Sequence, residues 1–244
     1  MGKVIMSGIV PLLKAPSTGI LASTLPVGST VKLMENGAAV EYLVVNQGIP
    51  SNSNLYDASC DGTWLLRKDI YSERQWNTSN VNIYETSAIN TWLNGDFFSS
   101  LGSVEWATVK QIKIPYRAGG GSGGTDRTGA NGLSTKIFLL SGYEVGWTTS
   151  DNQYFPVDGA KLSYFESGTG TSANTKRIAN LNGSATYWWL RSPYTDNTNR
   201  VWRVYSNGDY SNNYASVSFG IRPALVLPSN ALFDKTTMLL KGVK

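Results

Sequence analysis

The chain has 244 residues, of which 41% are hydrophobic and 16% charged, so it is long enough for a sizeable domain with a buried core. It contains no histidine and a single cysteine, which excludes a Ser-His-Asp triad, His-ligated metal sites, an intrachain disulfide and a four-cysteine metal site. The net charge of +4 comes from scattered basic residues without a dense run, which argues against a nucleic-acid partner.

Composition divides the chain into three segments. Residues 1–30 are rich in Gly, Pro, Ser and Thr and are interpreted as an N-terminal arm or attachment segment. Their apolar stretches are too short and interrupted for a signal peptide or a membrane span, so we expect cytoplasmic synthesis and no membrane insertion. Residues 31–230 are predicted to form one ligand-binding domain, and residues 231–244 a C-terminal tail.

The first half of the chain carries signals for a hairpin, a strand and two helices. Asn36-Gly37 lies between two apolar runs, which is the strongest short-range hairpin signal. The apolar run at 64–66 predicts a short buried strand. Ser87 is a good N-cap for a helix that we expect Gly95 to end, and a second helix is predicted to follow from Ser103.

The middle of the chain is predicted to hold two strands separated by a glycine-rich segment. Pro115 is expected to terminate the strand that contains Ile112. Residues 118–132 lack the Gly-Lys-Ser/Thr ending of a phosphate-binding loop, so they are interpreted as a mobile surface loop. A further strand is predicted at 136–140, and residues 141–144 have the spacing of a capping box.

Short strands, one or two short helices and long loops together predict an α+β fold. In a fold of this kind the loops are expected to carry function, while the framing elements supply stability.

The most informative stretch runs from Tyr187 to Leu227. An apolar frame opens it at 188–190 and another closes it at 221–226, and the residues between are crowded with Asn, Tyr, Ser and Asp. Tyrosine gives a large contact area for few rotatable bonds, and Ser, Asn and Gly add adaptable hydrogen bonds, as in evolved binding loops. Tyr and Trp also dominate interface hot spots. The predicted ligand-binding residues are Tyr194, Asp196, Asn197, Asn199, Arg200, Trp202, Tyr205, Asn207, Asp209, Tyr210, Asn212, Asn213, Tyr214 and Phe219.

Other conspicuous residues have structural interpretations. Trp188 and Trp189 are predicted to form a core strand with side chains on opposite sides. Arg191 and Arg222 bracket the binding stretch and are expected to hold loops by donating to backbone carbonyls, with binding of an acidic ligand as the alternative. Cys60 is interpreted as a small structural residue.

We expect no cofactor and no metal. The carboxylates of the binding stretch are Asp196 and Asp209. Two carboxylates on loops supply too few ligands for calcium, which takes six to eight oxygen ligands.

Two motifs carry a resemblance to a known family: WWLRSP at 188–193 and GIRPAL at 220–225. They resemble the C-terminal domains of unassigned function found in proteins of gut Firmicutes and their phages, and the resemblance spans roughly residues 30–228. The order and spacing of four upstream motifs agree with it: YDASCDGTWLLRKD at 56–69, INTWLNGDF at 89–97, KQIKIPYR at 110–117 and KIFLLSGYEVGW at 136–147.

The resemblance implies a C-type lectin-like fold, in the branch that contains formylglycine-generating enzymes and the variable proteins of diversity-generating retroelements. In such retroelements adenines of a template copy are replaced, so that Asn codons scatter into Tyr, Ser, Asp and Thr. The stretch from Tyr194 to Tyr214 has this mixture, whereas Trp202 cannot arise in this way and would belong to the frame. Formylglycine generation needs two active-site cysteines, and the chain has only Cys60.

The resemblance therefore implies a non-enzymatic receptor-binding protein, such as a phage tail adhesin or a bacterial surface binder, located at a virion tail tip or cell surface. Its expected partner is a bacterial cell-surface protein or glycan, and residues 1–30 would dock on tail-fibre or baseplate proteins. The alternative is a structural tail-tip or baseplate assembly protein with a fixed aromatic interface. A polysaccharide hydrolase has no paired-carboxylate motif to support it, and a homo-oligomer is left open.

Overall fold

The computed structural model describes residues 19–51 and 53–244. Strands take 34% of the residues and helices 17%, so the protein is mostly β, with several sheets and a few short helices. The strands in the described part are β1 (Gly19–Leu21), β2 (Thr30–Glu35), β3 (Ala38–Gln47), β4 (Thr63–Arg67), β5 (Glu73–Gln75), β6 (Ile112–Ile114), β7 (Tyr116–Ala118), β8 (Thr125–Arg127), β9 (Leu133–Thr135), β10 (Asn180–Leu181), β11 (Ser184–Ala185), β12 (Trp188–Pro193), β13 (Arg200–Val204), β14 (Tyr210–Tyr214), β15 (Ser218–Gly220), β16 (Ala224–Leu227), β17 (Ala231–Asp234) and β18 (Leu240–Val243).

The helices are all short. The α-helices are α1 (Ala88–Trp92), α2 (Phe98–Ser100), α3 (Ser103–Thr108) and α4 (Thr171–Arg177); a π-helical turn (Leu93–Phe97) joins α1 to α2, and 3-10 turns lie at Ala22–Thr24, Ser53–Leu55, Ala58–Cys60 and Gly129–Asn131.

The expectation of an α+β, C-type lectin-like fold is wrong. Several segments interpreted as loops pair into ladders of two to five residues, and ladders this short leave no readable alternation in the sequence. The polar β14, for example, has no apolar alternation of its own and becomes a strand by pairing along its whole length with β13. The helical pattern seen in the sequence belongs to one continuous segment at 88–100 and a few shorter helices, and the strands make up most of the regular structure.

Two sheets dominate the molecule. The first has five strands in the order β14-β13-β12-β15-β5, and the second has four in the order β16-β4-β3-β2. The GIRPAL segment links them, because Gly220 ends β15 in the first sheet and Ala224 begins β16 in the second. The apolar core between the elements is rich in fully buried tryptophans, namely Trp64, Trp76, Trp147, Trp188, Trp189 and Trp202.

Local sequence signals hold in several places. Asn36 and Gly37 take φ values of 48° and 79° in the tight turn between β2 and β3, which confirms the predicted hairpin. The Ser87 hydroxyl accepts a hydrogen bond from the Asn90 amide (3.2 Å), which confirms the N-cap. Strands β4 and β6 and helix α3 also form where they were predicted.

The predicted end of the first helix at Gly95 is wrong. The helical segment continues through the π turn and α2 to Ser100, which buries Leu93 and Phe97 and brings the Phe97 ring within 5.5 Å of the Trp92 ring. Burial of these apolar side chains outweighs the cost of a glycine within the helix.

The strand predicted at 136–140 is also wrong, since only Phe138 makes a bridge, to Ala224. Its last residues instead lead into the capping box at 141–144, which is present in full: the Ser141 amide donates to the Glu144 carboxylate (3.0 Å) and the Glu144 amide donates to the Ser141 hydroxyl (3.1 Å).

The described part of the N-terminal segment and the C-terminal segment form one sheet. Strand β1 pairs with β17, and β17 pairs with β18. Residues 1–18, which make up most of the predicted arm, lie outside the described residues, so the domain boundaries stay a prediction. Among the described residues, no helix has both the length and the apolar character needed to cross a membrane.

Candidate functional site

The register of the five-stranded sheet decides which side chains of the 187–227 stretch share a face. Trp188 lies opposite Val204 and Trp189 opposite Arg203, and directly paired residues project to the same face. The two tryptophans therefore point to opposite faces, as predicted: the indole N–H of Trp188 donates to the Arg177 carbonyl (2.9 Å), and that of Trp189 to a carbonyl of β5 (3.2 Å).

We call the face that carries Trp189 the outer face, and the face that carries Trp188 the inner face. The inner face also carries Trp202 and Tyr210, which pack into the core. The outer face borders solvent at its two edges, because Arg74 is exposed on β5 and Ser211 and Asn213 are half-buried on β14. Its members across the five strands are Ser211 and Asn213 (β14), Arg203 (β13), Trp189 (β12), Phe219 (β15) and Arg74 (β5).

Aromatic rings and one guanidinium form a continuous row on the outer face. The rings of Tyr205 and Tyr187 are 4.4 Å apart, and the Arg203 guanidinium lies 4.3 Å from the Tyr187 ring and 4.0 Å from the Phe219 ring. The Phe219 ring meets the Trp189 ring edge-on at 5.0 Å. We call these five residues the aromatic–arginine row. Tyr205, at one end, is 38% exposed.

The cation of this row is almost desolvated. Arg203 is 8% exposed, and its guanidinium is bonded within the described residues only through a long contact of 3.5 Å from Nη2 to the Ser211 hydroxyl. Its Nε atom is buried without a hydrogen-bond partner there. Burial lowers the pKa of Arg203, and the neighbouring side chains of Tyr187 and Tyr205 partly oppose this effect.

A groove of about 290 Å³ lies where β5 and β15 meet α1. Its floor is apolar and includes Trp92, and its rim is polar, with Gln75 and Ser218 among the lining residues. The Arg74 guanidinium stacks over the Trp92 ring at 4.1 Å. Phe219 of the aromatic–arginine row pairs with Arg74 across β15 and β5, so the groove that Arg74 lines lies next to the row.

The structure divides the predicted ligand-binding residues among several surfaces. Tyr205, Asn213 and Phe219 belong to the outer face, and Asn207 and Asp209 lie in the adjoining β13–β14 turn. The loop that enters β13 contains Tyr194, Asp196, Asn197 and Asn199. At the far end of the hairpin, on the inner face, lie Arg200, Asn212 and Tyr214.

Of these last three residues, Arg200 contacts both of the others. The Arg200 guanidinium stacks on the Tyr214 ring at 4.6 Å and donates to the Asn212 side chain at 2.9 Å. Tyr214 is 42% exposed, so this end of the hairpin reaches solvent on its inner side.

Trp202 does not reach solvent. It is 1% exposed, stacks on Phe155 at 4.1 Å and donates from its indole nitrogen to the Tyr154 carbonyl (3.1 Å). Its strand position points inward and places it in the core, so its surroundings fit a role in the frame and not contact with a ligand. Tyr210 is half-buried in the same cluster, 5.7 Å from the Trp147 ring.

The loop at 194–199 is anchored by Asn82. The Asn82 amide donates to the carbonyls of Asn197 (3.1 Å) and Arg200 (2.8 Å), while its oxygen accepts from the Gly121 amide (2.9 Å). A Cβ on Gly121 would collide with the carbonyl oxygens of Tyr194 and Asn197. Since Gly120 and Gly121 are buried, the interpretation of residues 118–132 as a mobile surface loop is wrong at this point.

A buried polar cluster supports the end of β12. The Arg191 guanidinium binds both carboxylate oxygens of Glu144 (2.6 and 2.7 Å) and also donates to three backbone carbonyls, those of Pro115, Leu139 and Asp158. These bonds confirm the expectation that Arg191 holds loops in place.

Asp158 joins this cluster through Ser192, whose hydroxyl donates to the Asp158 carboxylate (2.6 Å). The other oxygen of that carboxylate is buried without a hydrogen-bond partner in the described residues. Burial raises the pKa of Asp158 to about 7, against the opposing effects of Arg191 and Ser192.

Arg222 and Cys60, which the sequence analysis interpreted as structural residues, are both buried. Arg222 is buried, donates to the Arg67 carbonyl (2.9 Å) and lies over the Trp188 ring at 4.9 Å, so its surroundings fit the structural role expected for it. Cys60 is buried and donates to the Lys113 carbonyl (3.2 Å), and burial raises the pKa of its thiol to about 12. A thiol with such a pKa is protonated near neutral pH and is a poor nucleophile.

Sequence reasoning missed Arg203, Arg74 and Trp92, which contribute much of the outer face. Arg74 and Trp92 lie far from the binding stretch in sequence, and only the pairing of β15 with β5 brings them to it. For Arg203, alternation with the neighbouring Trp202 was a usable signal, because a core tryptophan at one strand position implies an outward side chain at the next.

No group of three or more acidic or cysteine side chains in the described ranges is placed to hold a metal ion.

Residues 61–229 match the model of a protein family described as "Domain of unknown function (DUF6273)". The matched range covers more than half of the chain and contains all the outer-face residues named above. No curated protein and no solved structure matches the chain.

Proposed function

The chain belongs to the DUF6273 family, and we propose that this member is a ligand-binding protein that uses the outer face of its five-stranded sheet for recognition. The observation that carries the proposal is the aromatic–arginine row beside the groove. Large rings reach solvent at the Tyr205 end, and the groove adds an apolar floor with a polar rim. Ligand sites of proteins have this combination of apolar surface and a few polar groups.

The side chains of the row are held by strands and not by loops, which favours a role in ligand binding. Arg203 and Phe219 lie on paired strands, and Tyr187 immediately precedes β12. The buried cluster of Arg191 and Glu144 supports the same strand from the opposite end. Sites built on strands hold their side chains more firmly than sites on loops, which lowers the entropic cost of binding.

We further propose that the β13–β14 hairpin and its loops are the diversified part of a retroelement variable protein, displayed at a phage tail tip or on a cell surface and directed at a bacterial surface protein or glycan. The distribution of exposure supports this proposal. Asp196, Tyr205, Asn207 and Tyr214 are exposed, whereas Trp202, which an Asn codon cannot yield by adenine replacement, is buried.

Deep sequencing of the encoding locus in a natural population tests the diversification. We expect substitutions at the exposed and half-buried Asn and Tyr positions between 194 and 214, with the WWLRSP and GIRPAL frames unchanged. Variation spread evenly along the gene, or absent from the hairpin, would contradict diversification and leave a fixed binding face.

Binding itself is tested with the purified full chain on a glycan array and a panel of bacterial envelope preparations. Tyr205→Ala is expected to reduce binding at least tenfold without changing the melting temperature, because its side chain is exposed. Val157→Ala is the matched control, since Val157 has a similar exposure (39%) and lies outside the row. Equal binding by wild type and Tyr205→Ala, or no binding by wild type to any preparation, counts against the proposal.

Assembly into a larger particle is the second candidate, and an exposed apolar patch favours it. Val104, Trp106 and Val243 are 37%, 49% and 54% exposed, and α3 packs against β18, which brings them into one region. Exposed apolar patches often mark protein interfaces. Trp106→Ser would abolish incorporation into particles if this patch assembles, and would leave incorporation unchanged if it does not.

A further inference from the structure

The outer face contains two guanidinium groups without carboxylate partners in the described part of the chain. Arg203 has no ion pair there, and its Nε lacks any hydrogen-bond partner although the side chain is more than nine-tenths buried. Arg74 has neither an ion pair nor a side-chain hydrogen bond there, and its guanidinium rests on the Trp92 ring. Stacking on rings leaves the edges of a guanidinium, where its N–H donors lie, free to bind oxyanions.

The surrounding charges do not neutralise this pair. The ion pairs of the described residues involve neither Arg203 nor Arg74. The Arg203 guanidinium lies instead against the uncharged rings of Tyr187 and Phe219. An isolated cation held in a desolvated site is costly for the folded protein, and an oxyanion ligand offsets that cost on binding.

The two guanidinium groups are spaced along one line. Arg203 and Arg74 lie on β13 and β5, which are separated by β12 and β15, so their backbones are roughly 14 Å apart at the usual strand spacing. Phe219 lies between them on the same face. The Phe219 ring therefore stands between the two positions, and a chain molecule with repeated anionic groups can contact both of them.

The surface between and beside the guanidinium groups suits sugar rings. Tyr205 is exposed and Phe219 is half-buried, so part of each ring is open to the apolar face of a sugar. The groove has an apolar floor at Trp92 and polar side chains at its rim, which suit a molecule with apolar ring faces and hydroxyl edges.

We propose that the outer face binds an acidic polysaccharide, with separate oxyanions of the polymer paired to Arg203 and Arg74 and sugar rings packed on the open parts of the Tyr205 and Phe219 rings. This inference rests on the proposed binding function and names its ligand class. A groove that tracks nucleic acid combines many basic residues along the backbone, and the outer face has only two arginines.

Binding of the full chain to four polymers tests the inference: polygalacturonate, poly(glycerol phosphate), neutral dextran and single-stranded DNA. The first two probes distinguish carboxylate from phosphodiester as the source of the oxyanion. We expect one of them to bind, dextran not to bind, and the Kd to rise with salt. Arg74→Gln and Arg203→Gln should each weaken binding at least tenfold.

The matched control is Arg127→Gln, which removes one exposed positive charge from β8, outside the outer face. Arg74→Gln is the safer of the two test variants because its side chain is exposed, and thermal unfolding of each variant checks the fold. Retained binding in Arg127→Gln, with loss in both test variants, supports the inference.

Four results would overturn it: equal loss in Arg127→Gln, which indicates unspecific charge attraction; full binding in Arg74→Gln and Arg203→Gln; preference for single-stranded DNA; or no binding of either acidic polymer. Binding to dextran or to an envelope preparation that does not depend on the two arginines would overturn the acidic-ligand inference and leave the binding function standing. Absence of binding to every polymer and every envelope preparation would count against both.

Discussion

The Arg191 guanidinium makes two hydrogen bonds, of 2.6 and 2.7 Å, to the two carboxylate oxygens of Glu144, and both side chains are completely buried. Glu144 at the same time closes the capping box with Ser141. One carboxylate therefore ties the WWLRSP strand to the turn that begins at residue 141, and the outer face is supported from within by this ion pair.

Glu144→Gln is expected to destabilise the protein strongly. The amide removes the charge that compensates Arg191, and breaking a buried pair by removing one partner costs about 3–5 kcal/mol. The free energy of unfolding from urea titration measures the loss. Lys68→Ala is the control, because the Lys68–Glu41 pair is exposed on both sides and such pairs contribute about 1 kcal/mol or less. Comparable losses in the two variants would mean that the buried pair is not a main support of the fold.

Asp158 is expected to make stability depend on pH. Its pKa is raised from an ordinary 3.8 to about 7 by burial, so between about pH 4 and pH 7 the folded protein binds a proton that the unfolded chain has released. The free energy of unfolding therefore falls as the pH rises through this range and is level above it.

Asp158→Asn removes this proton uptake, so its melting temperature relative to wild type is expected to rise from pH 5 to pH 8.

Asp234→Asn is the control, because the pKa of Asp234 is shifted in the opposite direction. Backbone hydrogen bonds from Thr237 and Thr236 lower the pKa of Asp234 to about 2, so its contribution is present above about pH 4 and is lost as the pH falls towards 2. A constant difference between Asp158→Asn and wild type from pH 5 to pH 8 would show that Asp158 is ionised throughout.

The features that could be predicted from the sequence depend on residues that lie close together in the chain. The Asn36-Gly37 turn, the Ser87 cap and the capping box at 141–144 each involve residues within four positions of one another. Local geometry decides such features, so composition and spacing suffice to find them.

The rest of the site depends on pairing between distant segments. Phe219 faces Arg74 because β15 pairs with β5, some 140 residues earlier in the chain, and no local pattern encodes that choice. The same limitation explains the wrong fold class. Short polar strands such as β14 are stabilised by their neighbours, and their own sequences resemble loops.

Gly121→Ala is expected to destabilise the loop that enters β13. An added Cβ would collide with the carbonyl oxygens of Tyr194 and Asn197, so the backbone must move and the hydrogen bonds of Asn82 are disturbed. Overpacking of this kind costs about 1–3 kcal/mol.

Gly95→Ala is the matched control for Gly121→Ala. Gly95 lies in the helical segment with open space around its Cα, so alanine is expected to stabilise by about 0.5–1 kcal/mol. Opposite signs in urea unfolding support the close approach of the two loops, and a neutral effect of Gly121→Ala would contradict it.

Trp202→Ala and Tyr214→Ala are expected to lower the free energy of unfolding by different amounts, because Trp202 is buried and Tyr214 is exposed on the same hairpin. Trp202 is 1% exposed and stacks on Phe155, so its truncation should cost about 3–5 kcal/mol of unfolding free energy. Tyr214 is 42% exposed and its main contact is the stacked Arg200, so its truncation should cost about 1 kcal/mol or less. Thermal and urea unfolding of the two variants measure both effects. Similar losses would mean that the hairpin is buried on both sides, and would remove Tyr214 from the candidate binding residues.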